Sequence, residues 1–185
     1  MRVIAGKYRS RPLQPLPGVD IRPTSDRLRE TLFDVLCAGN PAALEGSEWL
    51  DLFAGTGAVG IEALSRGARR VTFIESSARA AALIRKNLSS LGIETGFQVT
   101  QLDVLKSLKR FHDQDDVDFI FLDPPYRMHH AYGAVLQALP ERIKPSSLVI
   151  AEHDRKFDPG DSVGQFERLR KLEQGDAALS FYRWK

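Results

Sequence analysis

The fold of this chain is decided by the stretch Asp51-Leu52-Phe53-Ala54-Gly55-Thr56-Gly57-Ala58-Val59-Gly60. Its glycines fit the pattern G-x-G-x-x-G and lie between an apolar run typical of a buried strand and a helical stretch. In that position, glycines allow a tight turn and close approach of the backbone to a nucleoside ligand. The simpler interpretation is a sharp strand-to-helix connection without a ligand. Either way, the stretch predicts a strand, a loop and a helix of an α/β domain.

Further strands and helices alternate after this loop. Strands are predicted at residues 49–53, 71–74, 97–99, 117–122 and 148–151. Helical stripes of apolar residues lie at 80–91 and 135–143. This alternation favours a mostly parallel, doubly wound sheet with helices on both faces. Residues 166–171 and 178–184 flank a short polar turn, so we expect an antiparallel hairpin at one edge.

Residues 1–22 have the composition of a basic arm. Prolines and a glycine interrupt any helix there, so we expect short strands that form a hairpin. Its cations include Lys7, Arg9, Arg11 and Arg22. On charge alone, a phosphate-binding arm and a solvated tail are equally supported. Helix-capping residues and apolar residues at helical spacing follow, so residues 23–40 are predicted to form the first helix of the main domain, 23–185.

Length and composition narrow the class of protein. The 185 residues, 43% of them hydrophobic, suffice for one domain with a modest appendage. A lone cysteine, Cys37, excludes an internal disulfide, and no Cys/His cluster has metal-ligand spacing, so we expect no metal. No apolar run is long enough to span a bilayer. A soluble, cytoplasmic monomer with no membrane partner is therefore expected, and the net charge of +2 is too small to identify a partner.

Acidic residues at the ends of the predicted strands favour an adenosine-containing cofactor. Glu75 follows the glycine loop by about twenty residues, where a carboxylate can accept hydrogen bonds from ribose hydroxyls. Asp103 can accept from an adenine amino group beside the backbone N–H of Val104, or it can simply cap a helix. A nicotinamide cofactor would place a pyrophosphate on this loop, whereas S-adenosylmethionine carries cationic groups that Asp51 can pair with.

The tetrapeptide Asp123-Pro124-Pro125-Tyr126 directly follows the fourth predicted strand. An exocyclic amine on a base is a poor nucleophile because its lone pair is conjugated with the ring. Asp123 and the carbonyl of Pro124 can accept both N–H groups and aim the lone pair at a methyl donor. Tyr126 can stack on a base turned out of its stack. The alternative is an ordinary turn with a solvated aspartate.

Four stretches together resemble one family over nearly the whole chain. They are residues 2–9, residues 22–33, the glycine stretch continued to residue 68, and the D-P-P-Y tetrapeptide. They are similar to the RsmD family of bacterial 16S rRNA guanine-N2 methyltransferases. This resemblance implies a seven-stranded class I methyltransferase sheet that ends in the hairpin, S-adenosylmethionine as cofactor, and 16S rRNA as partner, within a small ribosomal subunit or its assembly intermediate. It also implies that the basic arm grips the RNA.

The resemblance also assigns site residues. The cofactor-binding residues would be Thr24, Asp51, Phe53, Ala54, Gly55, Gly57, Glu75, Asp103 and Val104. Asp123 to Tyr126 would hold the guanine. The chain departs from its relatives at Ala5 and Tyr8, where glycine and tryptophan are common. It also departs after the tetrapeptide, where Arg127-Met128-His129-His130 replaces a lysine-glycine pair.

Three other functions are compatible with these motifs. A DNA adenine-N6 or cytosine-N4 methyltransferase would use the same tetrapeptide, although this chain has little room for an added target-recognition region. An RNA-binding assembly factor would retain the fold with a degenerate cofactor site. An oxidoreductase would use the same loop for a nicotinamide cofactor.

Overall fold

The computed structural model describes residues 1–16, 24–110, 116–125, 127–139 and 143–185. The helices are α1 (Asp26–Cys37), α2 (Ala58–Ser65), α3 (Ala78–Ser90), α4 (Val104–Leu108) and α5 (His129–Ala138). The strands are β1 (Glu48–Leu52), β2 (Arg70–Glu75), β3 (Phe97–Gln101), β4 (Phe119–Leu122), β5 (Leu148–Asp154), β6 (Ser162–Val163), β7 (Phe166–Gln174) and β8 (Ala177–Trp184). The strands and helices predicted after residue 22 therefore all appear, with shifted ends.

All of these strands join one sheet in the order β3-β2-β1-β4-β5-β8-β7-β6. The first five are parallel, and β7 and β8 form the expected antiparallel hairpin. The expected number of seven strands is wrong by one. Gly164 has φ 56°, and the turn it permits returns the chain so that Ser162 and Val163 pair with Glu167 and Phe166 as a short edge strand.

The strand order reverses between β1 and β4. Strand β1 pairs with β2 on one side and β4 on the other, with Leu52 in register with Ile74 and Leu122. The three strands therefore end at the same level, and the segments that follow them meet at one edge. Ligands of open α/β sheets bind in this kind of crevice. The expectation that the D-P-P-Y strand lies beside the glycine-loop strand is confirmed.

Two apolar clusters fill the space between sheet and helices. Helices α1, α2 and α3 cover one face, where Phe33 packs on Trp49 with ring centroids 5.4 Å apart. Helices α4 and α5 cover the other face, where Leu52 and Leu122 are fully buried. Among the described residues, every helix is too short or too polar to cross a bilayer.

The N-terminal segment, within residues 1–16, matches the predicted hairpin only in part. An antiparallel bridge joins Arg2 and Pro12, and the N–H groups of Val3 and Leu13 donate to the carbonyls of Arg11 and Met1, but the pairing does not extend into regular strands. The Glu62 side chain in α2 explains this, because its carboxylate accepts from the backbone N–H groups of Ile4 (2.8 Å) and Ala5 (2.9 Å) in place of a partner strand. Val3 is fully buried in the core. The segment is therefore packed against the main domain rather than extended from it.

Gly60 sets how closely α2 approaches the sheet. A Cβ added there would lie 2.3 Å from Phe73 Cε1 and 2.7 Å from Val71 Cγ1. We expect Gly60→Ala to lower the free energy of unfolding by about 1–3 kcal/mol, the range for overpacked cores. In α5, a Cβ added at Gly133 would meet no atom within 4 Å. Gly133→Ala should therefore stabilise by up to about 1 kcal/mol, and urea unfolding of both variants measures the contrast. Equal effects would mean that Gly60 does not set the packing distance.

Candidate active site

The loop after β1 has an unusual backbone. Phe53, Gly55 and Gly57 have φ of 61°, 54° and 77°, in the left-handed region. Glycine adopts this conformation freely, but a phenylalanine there is strained and persists only when its surroundings hold it. Gly57 is also the N-cap of α2, so the helix begins directly after the loop. The loop is therefore held in the tightly turned form that the glycine pattern predicts.

Asp51 lies beneath this loop. It is 2% exposed, and its Oδ2 accepts from the backbone N–H of Gly60 at 3.0 Å. Burial raises the pKa of the Asp51 carboxyl to about 8, although the hydrogen bond from Gly60 opposes the shift. A buried carboxyl with this pKa holds its proton near neutrality until a cation approaches. The position therefore suits a ligand with positive charge.

Glu75 connects the loop to the next helix. Its Oε2 accepts from the N–H of Gly55 at 2.9 Å, and its Oε1 accepts from the N–H of Ser77 at 2.7 Å. Each carboxylate oxygen can accept more than one hydrogen bond, so both remain able to bind hydroxyls. The structure thus assigns Glu75 a role that the sequence did not suggest, which is to hold the glycine loop itself.

Asp103 lies at the end of β3 and caps α4. Its Oδ1 accepts from the N–H of Lys106 at 3.1 Å, as the simpler interpretation of this residue predicted. Asp103 is exposed, and the neighbouring Val104 is buried. The capping bond uses only one carboxylate oxygen, so the second can still accept from an amino group.

Asp123 follows β4 and lies next to β1, where its N–H donates to the Leu52 carbonyl at 3.4 Å. Burial is the main cause that holds the pKa of the Asp123 carboxyl well above its usual range, and the negative charges of Glu152 and Asp51 add to it. Pro124 is buried and Pro125 is exposed. Tyr126, the last residue of the tetrapeptide, lies outside the described residues.

Two residues that the motifs did not identify complete this edge. Glu152, on β5 beside Asp123, is 3% exposed, and its Oε2 accepts from Thr24 Oγ1 at 2.6 Å. Thr24 therefore contacts the acidic side of the crevice. Asn87 is fully buried in α3, where its amide donates to the Thr56 carbonyl at 3.1 Å and pairs with both backbone groups of Gln14. The available signals were an acid ending a strand and a polar residue within a buried helical stripe.

The basic residues of the N-terminal segment are exposed but lie away from the crevice. The N–H of Lys7 donates to the carbonyl of Ser65, at the C-terminal end of α2, and Arg11 donates to the Ser90 carbonyl at the end of α3. Because α2 begins at the glycine loop and has eight residues, the backbone of Lys7 lies about 12 Å along that helix from the loop. Arg22 lies outside the part of the chain that the structure describes.

Comparisons with known proteins add to this geometry. A protein family described as "Conserved hypothetical protein 95" matches residues 1–183. The chain belongs to this family. It is 38% identical to the ribosomal RNA small subunit methyltransferase D of Haemophilus influenzae, over 84% of this chain and 79% of that protein. It is 32% identical to the Bacillus subtilis protein YlbH over 99% and 98% of the two chains.

Solved structures agree with this family and its fold. The Escherichia coli protein yhhF superposes with a TM-score of 0.82 at 29% identity, covering 100% of this chain and 98% of its own. A methylase of Haemophilus influenzae gives a TM-score of 0.80 at 33% identity, covering 98% of this chain and 97% of its own. The class I methyltransferase fold expected from the sequence is confirmed. Within the described ranges, no group of three or more His, Cys, Asp or Glu side chains is arranged to hold a metal ion.

The raised pKa of Asp51 gives a pH dependence of stability without ligand. Its folded-state pKa of about 8 exceeds the unfolded value of about 3.9, so the folded state binds the proton more tightly between these values. Its contribution to stability is therefore lost as pH rises through that window. Asp51→Asn keeps the acceptor for Gly60 but does not titrate. From pH 4 to pH 8, the free energy of unfolding of the variant should therefore rise relative to that of the wild type by on the order of 2–5 kcal/mol. Urea unfolding across this range measures it, and parallel curves for the two proteins would contradict the assignment.

Proposed function

We propose that the protein methylates the exocyclic N2 amine of a guanine in 16S rRNA, with S-adenosylmethionine as the methyl donor. The observation that carries this proposal is the adjacency of Asp123-Pro124 and the glycine loop at the ends of two paired parallel strands. The rRNA substrate is supported by family membership and by the name of the Haemophilus influenzae relative. An exocyclic amine is supported by the acceptor chemistry of the turn after β4.

The residues of the loop fit this cofactor. The tight turns at Phe53, Gly55 and Gly57 suit a close approach of the loop backbone, Ala54 included, to a nucleoside, and the buried Asp51 carboxyl matches a cationic ligand. Glu75 would accept from the ribose hydroxyls. Asp103 and the N–H of Val104 would face the adenine, and Thr24 would lie at the acidic side through its bond to Glu152. When bound, S-adenosylmethionine supplies a methyl group whose bond to a sulfonium sulfur breaks with both electrons staying on sulfur.

Asp123 has the properties that amine methylation requires. Its carboxylate and the Pro124 carbonyl would accept the two N–H groups of N2, which withdraws the lone pair from the ring and aims it. After the N–C bond forms, the nitrogen must lose a proton. A carboxylate whose pKa is held well above its usual range is a better acceptor for that proton than an ordinary aspartate. Pro125 and Pro124 limit the motion of the turn, because proline fixes φ.

The wider setting of the reaction follows from the substrate. We propose that the acceptor is 16S rRNA within a small ribosomal subunit or its assembly intermediate, and that the protein acts in the cytoplasm as a monomer. Methyl transfer from labelled S-adenosylmethionine to unmodified subunits and to deproteinised rRNA, followed by nucleoside analysis, tests the proposal. N2-methylguanosine supports it. Label found only in adenine or cytosine, or only in DNA, would show instead that the protein is an adenine-N6 or cytosine-N4 methyltransferase or acts on DNA.

Asp123→Asn separates chemistry from cofactor binding. The amide keeps one acceptor oxygen but cannot take a proton, so we expect the rate of methyl transfer to fall by about 100-fold or more. The affinity for S-adenosylmethionine should stay within about threefold, because the altered group acts on the amine. Asp34→Asn is the control, since Asp34 is an exposed aspartate on α1. Equal loss of cofactor binding in Asp123→Asn would assign Asp123 to the cofactor site instead.

The exposed cations of the N-terminal segment provide a separate test of RNA capture. Replacing Lys7, Arg9 and Arg11 together with alanine should weaken RNA binding and reduce the salt slope by about one for each phosphate that the variant no longer neutralises. Replacing Arg170, Arg183 and Lys185 removes the same charge from exposed positions on or just after the β7–β8 hairpin, which lies at the other end of the strand order from β2 and β3. The control should leave the slope unchanged. If the salt slope of RNA binding is the same in both triple variants, the N-terminal segment is a solvated tail and not an RNA-binding arm.

A further inference from the structure

Four aromatic side chains form a stack beside the tetrapeptide turn. His129, the first residue of α5, lies parallel to Phe157 with ring centroids 4.1 Å apart and planes inclined by 9°. Tyr132 contacts Phe157 at 5.2 Å, and His153 meets it edge-on at 6.3 Å. His153 and Tyr132 are buried, Phe157 is half-buried and His129 is exposed. The stack is therefore anchored in the core and ends in an exposed imidazole ring.

The position of this ring relative to the proposed guanine site follows from the turn. The N–H of Met128 donates to the Pro125 carbonyl at 2.7 Å, and α5 begins at the next residue. A turn of this size spans less than about 7 Å between its end Cα atoms, and one more residue adds about 3.8 Å. The Cα of His129 thus lies within about 11 Å of that of Pro125. His129 therefore lies close to the turn after β4, and its ring packs on Phe157, which follows the neighbouring strand β5.

A base that is turned out for chemistry leaves its neighbours without a stacking partner. Proteins that handle single-stranded RNA replace that partner with an aromatic side chain whose ring face is exposed. His129 has one face covered by Phe157 and belongs to an exposed side chain. The proposed reaction gives His129 no role.

We propose that the exposed ring of His129 is a stacking platform for a nucleotide that flanks the methylated guanine. This subsite rests on the proposed function, because it needs an RNA strand that passes the turn after β4. Phe157, Tyr132 and His153 fix the orientation of the ring. The interaction is one of ring faces and so tolerates different bases at the flanking position.

Three variants test the platform. His129→Ala removes the ring, His129→Phe keeps an aromatic face without a charge, and His130→Ala removes a neighbouring exposed imidazole that makes no ring contact with the described residues. We expect His129→Ala to raise the KM for RNA by about 5- to 100-fold, the range for removal of one stacked base. His129→Phe should stay within about threefold of the wild type, and His130→Ala should be unchanged. The KM for S-adenosylmethionine and the salt slope of RNA binding should not change in any of them.

Other outcomes overturn the proposal in distinct ways. A salt slope reduced by about one in His129→Ala, without rescue by phenylalanine, would identify an imidazolium–phosphate contact. Equal weakening in His130→Ala would indicate a general charge effect. A fall in thermal stability with weaker cofactor binding would indicate a structural role. If the wild type methylates no rRNA, the proposed function fails, and equilibrium RNA binding by the same variants still decides whether the platform exists.

Discussion

The parallel ladder between β1 and β4 is the constraint on which the rest of the site depends. Because Leu52 and Leu122 are in register, the loop after one strand and the turn after the other start at the same level. Hydrogen bonding between two parallel strands fixes both their separation and their direction, so the spacing of the two functional segments is set by backbone geometry. A cofactor loop and an amine-holding turn on non-adjacent strands would have another strand between them. The strand order therefore sets the distance between the glycine loop and the turn after β4, which no single side chain could set.

This edge of the sheet concentrates acidic residues that are poorly solvated. Asp51, Asp123 and Glu152 belong to three adjacent strands or the turns that end them. Burial is the main cause that raises the pKa of Asp51 and of Asp123, with a smaller contribution from the charge of Glu75 at Asp51 and from the charges of Glu152 and Asp51 at Asp123. An apolar packing of the same edge would be more stable, because a buried carboxyl must hold a proton or find a cation. Sites of function commonly depart from optimal stability in this way. In the proposed reaction, the cationic methyl donor would supply positive charge beside these carboxyls, and the amine nucleophile would supply hydrogen-bond donors.

The sequence predicted the parts of the protein where local pattern and tertiary structure agree. The alternation of strands and helices, the strand that carries Asp123 and the final hairpin all follow from residue periodicity and turn residues. Within residues 1–16, the predicted hairpin is present only as a short antiparallel pairing, because the N–H groups of Ile4 and Ala5 bond to the Glu62 carboxylate, 58 and 57 residues away in the chain. The contacts of Asn87 were missed for the same reason. A polar residue in a buried helical stripe is a local signal, but its partners Gln14 and Thr56 are distant in the chain and cannot be inferred from that signal.

The contacts of Asn87 also change how the N-terminal segment should be understood. Its amide pairs with both backbone groups of Gln14 while donating to Thr56 in the glycine loop, so one side chain links the segment to the loop. Arg29 makes a similar link, since it donates to the carbonyls of Arg2 and Ala58. Backbone groups held this way from two directions have few alternative conformations, which suits a loop with a left-handed phenylalanine. The N-terminal segment therefore supports the glycine loop. Any RNA that its cations bind would contact a surface that is hydrogen-bonded, through Asn87 and Arg29, to the glycine loop and the start of α2.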